Sequence, residues 1–164
     1  MKKQVLAIMV LGLLAGCSSS DDEETKDMTY PTISEEGITA SPIDCQVYHR
    51  GEVIPFNYVF TDNRELGAYN IEIHSNFDHH THGTSSAECT WEDEDHDHEH
   101  EEQHVKPWVY NQDFSIPQGL TTYNARIDIA IPADIDAGDY HFMVRLTDRA
   151  GWQQLKAMAI RIEE

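Results

Sequence analysis

Eight of the ten histidines in this 164-residue chain lie between positions 74 and 104. The stretch opens with His74-Ser75-Asn76-Phe77-Asp78-His79-His80-Thr81-His82. After a short neutral segment it continues as Glu92-Asp93-Glu94-Asp95-His96-Asp97-His98-Glu99-His100-Glu101-Glu102-Gln103-His104. Imidazole and carboxylate together are the ligands of zinc and of similar first-row divalent ions. The chemistry to expect is therefore metal binding. The question is which elements bring the donors together.

The chain outside this stretch reads as strands. Phe56, Tyr58 and Phe60 alternate with Asn57, Val59 and Thr61. Tyr69, Ile71 and Ile73 alternate with Asn70, Glu72 and His74. Tyr140, Phe142, Val144 and Leu146 alternate with His141, Met143 and Arg145. A period of two means one buried face. Strands are expected over residues 43–49, 53–61, up to His74, 105–116, 123–131, 139–147 and 152–162. Pro107 suggests an edge position or a late start for the fourth. Ile127, Ile129 and Ile131 form the inward set of the fifth. With turn clusters between them and no amphipathic helix, the fold class is all-β, a seven-stranded immunoglobulin-like β-sandwich. It carries a His/Asp/Glu-rich insertion, residues 75–104, after the third strand.

In a sandwich of this type the third and sixth strands are antiparallel neighbours. The end of the third then lies beside the start of the sixth, so His74 and His141 meet on one outer sheet face at the root of the insertion. Asp78, His80 and His82 follow closely enough to fold back and complete a tetrahedron. The expected ordered site is His74, Asp78, His80, His82 and His141. The competing reading leaves His74 and His141 as ordinary surface residues. His96, His98, His100 and His104 sit in an acidic tract almost without apolar anchors and form a second, mobile cluster. It is similar to the acidic His-rich loops of bacterial zinc-uptake proteins. Carboxylates raise the proton affinity of each imidazole, so protons and metal compete there near neutral pH. Its plain alternative is a solvated charge run.

The N-terminus reads as an export signal. Lys2 and Lys3 precede an apolar run over residues 5–14 that is too short to span a bilayer, and the run ends in Leu14-Ala15-Gly16-Cys17. This resembles the lipobox of bacterial lipoproteins, which implies lipidation of Cys17. The tract Ser18-Ser19-Ser20-Asp21-Asp22-Glu23-Glu24 is similar to the acidic export signal of surface lipoproteins in anaerobic gut Gram-negatives. It implies the outer membrane and a face toward the exterior. Residues 1–16 are then a leader, 17–41 a lipidated, flexible acidic tether, and 42–164 the sandwich.

The end of the domain, Gly138-Asp139-Tyr140 through Asp148-Arg149-Ala150-Gly151, looks like that of many bacterial immunoglobulin-like domains. With Phe60-Thr61-Asp62-Asn63 and residues 69–82, it resembles an uncharacterised immunoglobulin-like lipoprotein family of gut Gram-negatives. That resemblance implies a fold and no activity.

Loss of the two leader lysines moves the formal charge from -19 to -21. Such a chain repels phosphate backbones, so nucleic acid is excluded as a partner, while cations are attracted. Cys45 and Cys89 remain as an even pair in an exported protein. They can form a disulfide, stay as free thiols or serve the metal.

Three functions are compatible with these features. The first is a lipid-anchored module that captures zinc or a similar divalent ion, as sensor, store or feeder to a metal importer or surface partner. The second is an adhesive or structural module for protein or glycan, with Trp91, Trp108, Tyr110 and Trp152 as candidate contact aromatics. The third is a zinc hydrolase with Glu72 or Asp78 as base. It lacks a His-Glu-x-x-His motif, a Ser/His/Asp spacing and a Gly-rich phosphate loop.

Overall fold

A computed structural model describes residues 26–77, 89 and 106–164. The leader, Cys17, Asp78, His80, His82, Trp91, His96, His98, His100 and His104 lie outside the described residues.

The described residues form eight strands and no helix: β1 (Thr32–Ser34), β2 (Gln46–His49), β3 (Val53–Thr61), β4 (Leu66–Ser75), β5 (Tyr110–Ser115), β6 (Thr122–Ala130), β7 (Gly138–Asp148) and β8 (Gln153–Glu163). They make two sheets, ordered β1-β3-β6 and β2-β8-β7-β4-β5. The architecture is a β-sandwich. All neighbours are antiparallel except β2 and β8, which run parallel.

The alternation in sequence explains the layers. Ile54, Phe56, Tyr58 and Phe60 of β3 face Tyr69, Ile71 and Ile73 of β4 and Tyr140, Phe142, Val144 and Leu146 of β7, all buried in one core. Phe56 lies between Tyr69 and Phe142 with near-parallel rings, at centroid distances of 6.2 and 5.9 Å. The offset aromatic contacts add to the stabilisation that burial alone provides.

Two expectations need correction. Eight strands are present among the described residues rather than seven, because the N-terminal region contributes to both sheets. Thr32–Ser34, expected within the tether, pairs with β3 as Thr32↔Thr61, Ile33↔Phe60 and Ser34↔Val59. Three residues containing one apolar side chain carry no readable period, and the edge of β3 supplies the partner. Thr32–Ser34, placed by that expectation in the tether, is thus a strand of the fold. The Tyr30 ring packs at a tilt against Trp152, with centroids 4.8 Å apart, and the Trp152 indole donates to the Asp27 carbonyl at 2.9 Å. The fourth expected strand is shorter than residues 105–116. It begins at Tyr110, beyond Pro107, and lies at the sheet edge.

Candidate metal centre

The β4–β7 ladder sets His74 directly opposite His141. Both side chains leave the sheet on the face away from the core, since Ile73 and Phe142 beside them point inward. The ring centroids are 5.5 Å apart and the planes perpendicular, at 89°. Two imidazoles bound to one tetrahedral zinc, with Zn–N of about 2.1 Å, would place their centroids roughly 5 Å apart. The observed centroid spacing is close to that value.

Burial distinguishes this pair from surface histidines. His141 is only 3 % exposed and its face neighbour Met143 is 8 % exposed, although alternation assigns both to the outer side. His74 is half-buried, and its Nδ1 lies 3.1 Å from Glu72 Oε1. Glu72 and His74 share a face because they are two residues apart on one strand. The contact is at ion-pair distance without the alignment of a hydrogen bond, and a carboxylate beside a histidine is the usual companion of a metal-bound imidazole. Glu72, weighed above as a base, is engaged with His74.

The same row of the outer face continues to the far edge of the sheet. His141 pairs with Ala159 of β8, and the Ala159 carbonyl accepts the Cys45 amide at 2.8 Å. Cys45 is joined to Cys89, with Cα atoms 5.3 Å apart. Cys89 is thereby held on the opposite side of β7 from His74. The row His74, His141, Ala159 crosses three strands and ends at Cys45, the residue before β2, and the long connection between β4 and β5 is tied to both ends of it.

Tyr140 anchors that connection where it leaves and returns. Phe77 packs edge-on against the Tyr140 ring at 5.3 Å, and the Trp108 amide donates to the Tyr140 hydroxyl at 3.2 Å. Gly138 makes room for Phe77. It adopts φ 136°, and a Cβ there would lie 2.7 Å from Phe77 Cε1.

The structure brings together His74 and His141 from the expected ligand set. Asp78, His80 and His82, together with the second cluster His96, His98, His100 and His104, lie outside the described residues. The aromatics expected on a contact face are placed differently. Trp108 is core, Tyr110 packs against it with centroids 6.1 Å apart, and Trp152 is half-buried under Tyr30.

One group of acidic residues escaped the reading of the sequence. Asp27, Asp62 and Asp148 each offer a carboxylate oxygen within 4.8 Å of the others. Asp62 and Asp148 read as ordinary turn residues and Asp27 as tether. No local spacing links positions 27, 62 and 148.

A family model described as Domain of unknown function (DUF4625) matches residues 17–163. No curated protein matches. Among solved structures, similarity is found to the GspB Siglec domain, at 17 % identity and a TM-score of 0.41, over 84 % of this chain and 59 % of that one. It is also found to Spo0M, a sporulation control protein from Bacillus subtilis, at 10 % identity and a TM-score of 0.43, over 84 % of this chain and 51 % of that one. The chain thus matches little more than half the length of either structure.

Proposed function

The chain belongs to this DUF4625 family, and we propose that it is a lipid-anchored, immunoglobulin-like module that binds a divalent metal ion, zinc above all, at the outer membrane and facing the exterior. The observation that carries this reading is the His74–His141 pair. It consists of two imidazoles facing one another across a ladder, largely shielded from water and spaced for one ion. The immunoglobulin-like assignment is supported by the N-terminal region, which gives one strand to each sheet, and by the adjacency of β4 and β7. The anchor and its location rest on the Leu14-Ala15-Gly16-Cys17 motif and the acidic tract after it.

In this reading His74 and His141 are two ligands, Glu72 orients His74, and Asp78, His80 or His82 supply the remainder. The acidic cluster with His96, His98, His100 and His104 raises the local cation concentration and exchanges ions with the ordered site. The protein would hold zinc for a sensor or an importer in the same membrane.

The test is zinc stoichiometry and thermal melting of the purified protein. One tight zinc equivalent and a chelator-sensitive rise in Tm are expected. His74→Ala and His141→Ala should each remove that equivalent, and Glu72→Gln should weaken it by about 10- to 100-fold. Unchanged zinc binding in both histidine variants would exclude the pair as ligands. Glycan or protein binding insensitive to chelator would favour the adhesive module instead.

A further inference from the structure

The far end of the β4–β7 ladder carries a different donor set, made only of oxygen. Asp27 precedes β1, Asp62 opens the turn between β3 and β4, and Asp148 ends β7. Chain connections hold the three segments together. The Arg149 amide donates to the Glu65 carbonyl at 3.0 Å, joining the β7–β8 turn to the β3–β4 turn. The Asn63 side-chain amide donates to Asp27 Oδ1 at 3.1 Å, joining the N-terminal segment to both.

Each carboxylate is fixed through its Oδ1. Asp62 Oδ1 accepts the amides of Arg64 and Glu65 at 2.8 and 2.7 Å. Asp148 Oδ1 accepts the Trp152 amide at 2.7 Å. Asp27 Oδ1 accepts the Thr29 amide at 3.0 Å. The second oxygens of Asp62 and Asp148 are buried and have no hydrogen-bond partner. Asp148 is 4 % exposed and Asp27 is 7 % exposed. Buried carboxylate oxygens without donors are costly, and crowding three carboxylates raises that cost. The Thr29 amide foremost, then the Asn63 amide and the Arg64 charge, hold the Asp27 carboxyl below its usual range against the opposing effect of burial, so the charged form is favoured there.

We propose that Asp27, Asp62 and Asp148 bind one calcium ion, which fastens the N-terminal segment to the β3–β4 and β7–β8 turns. Calcium takes oxygen donors at 2.3–2.6 Å in flexible geometry, so ligand oxygens on one ion lie up to about 5 Å apart. The measured limit of 4.8 Å falls within that span. The set contains no nitrogen or sulfur, which separates it chemically from the histidine pair. The ion would neutralise the crowded charge, and Asp27 would become the link between the acidic N-terminal tract and the folded sandwich.

Lys26, exposed and adjacent to Asp27, provides a readout. The purified protein, stripped with EGTA, would be treated with a lysine-specific protease that needs no calcium, and melted with and without calcium. Calcium is expected to slow cleavage after Lys26 at least about 10-fold and to raise Tm by about 5 °C or more at saturation. Asp62→Asn and Asp148→Asn should abolish both responses and melt no lower than the wild type in EGTA, because each removes one repelling charge. His74→Ala should keep both responses, which separates this site from the zinc reading. If calcium changes neither cleavage nor Tm of the wild-type protein, the site does not exist. An equal response to magnesium at equal concentration would overturn the assignment to calcium. If Asp62→Asn and Asp148→Asn retain the wild-type calcium response, the ion sits elsewhere.

Discussion

Gly67 has no side chain because backbone atoms occupy the space one would need. A Cβ at this position would lie 2.9 Å from the carbonyl oxygens of both Thr147 and Asp148. The ladder slips between Leu66 and Ala68 at the same point, so Gly67 absorbs the irregularity. Neither carbonyl belongs to a flexible side chain that could swing aside. Gly67→Ala should therefore destabilise the fold by about 1–3 kcal/mol, measurable by urea unfolding. It should also displace Asp148 and blunt the calcium response before any acidic residue is changed. His141 teaches a related lesson at the other end of the strand. Its place opposite His74 could be read from alternation and strand order. Its burial could not, because alternation distinguishes the two faces of a sheet and is silent on what covers the outer one. The three aspartates were illegible for a further reason. Each has a sufficient local explanation as a turn or tether residue, and only tertiary folding makes them neighbours.

The Cys45–Cys89 bond acts on a whole connection. It closes a loop of 44 residues that contains β2, β3, β4 and the start of the His-rich segment. Closing a loop of that length in the unfolded chain stabilises the folded state by about 2–4 kcal/mol. Reduction, or Cys45→Ser, should lower Tm visibly in melts with and without reductant. It should also weaken zinc binding, since Cys89 would no longer be held across β7 from His74. A control with His74→Ala separates the effects: stability should still fall on reduction, with no further loss of zinc. β3 and β7 were legible in the sequence because nine and eleven residues carry several full periods. β1 was not, because Thr32–Ser34 carries no period at all. The short β5 was overextended because its apolar neighbours, Trp108 and Ile116, belong to the core without belonging to the strand.

Across the molecule, one ladder connects two kinds of chemistry. Leu66↔Asp148 marks the oxygen-rich end and His74↔His141 the imidazole end, about 25 Å apart at about 3.3 Å per residue. Between them runs an aromatic core whose hydroxyl groups resist ionisation. Burial pushes the Tyr69 hydroxyl up to about 12, and burial likewise raises Tyr48, Tyr58, Tyr110 and Tyr140. A phenol whose folded pKa exceeds its unfolded value of 10.0 contributes stability that is fully present below pH 10 and is lost as the pH rises through the folded value. Alkaline unfolding should therefore coincide with a cooperative step in tyrosinate absorbance between about pH 10 and 12. Gradual ionisation of these tyrosines with the fold intact would contradict that account. The parallel pairing of β2 with β8 has a mechanical consequence. A force applied between the two ends of the chain pulls β2 and β8 in opposite senses along their length. The rungs from Gln46↔Ile160 to His49↔Glu163 then bear load together rather than in succession. Stretched through its termini, the domain should yield at a higher force than when pulled through residue 26 and β5, whose rungs can unzip singly from the sheet edge.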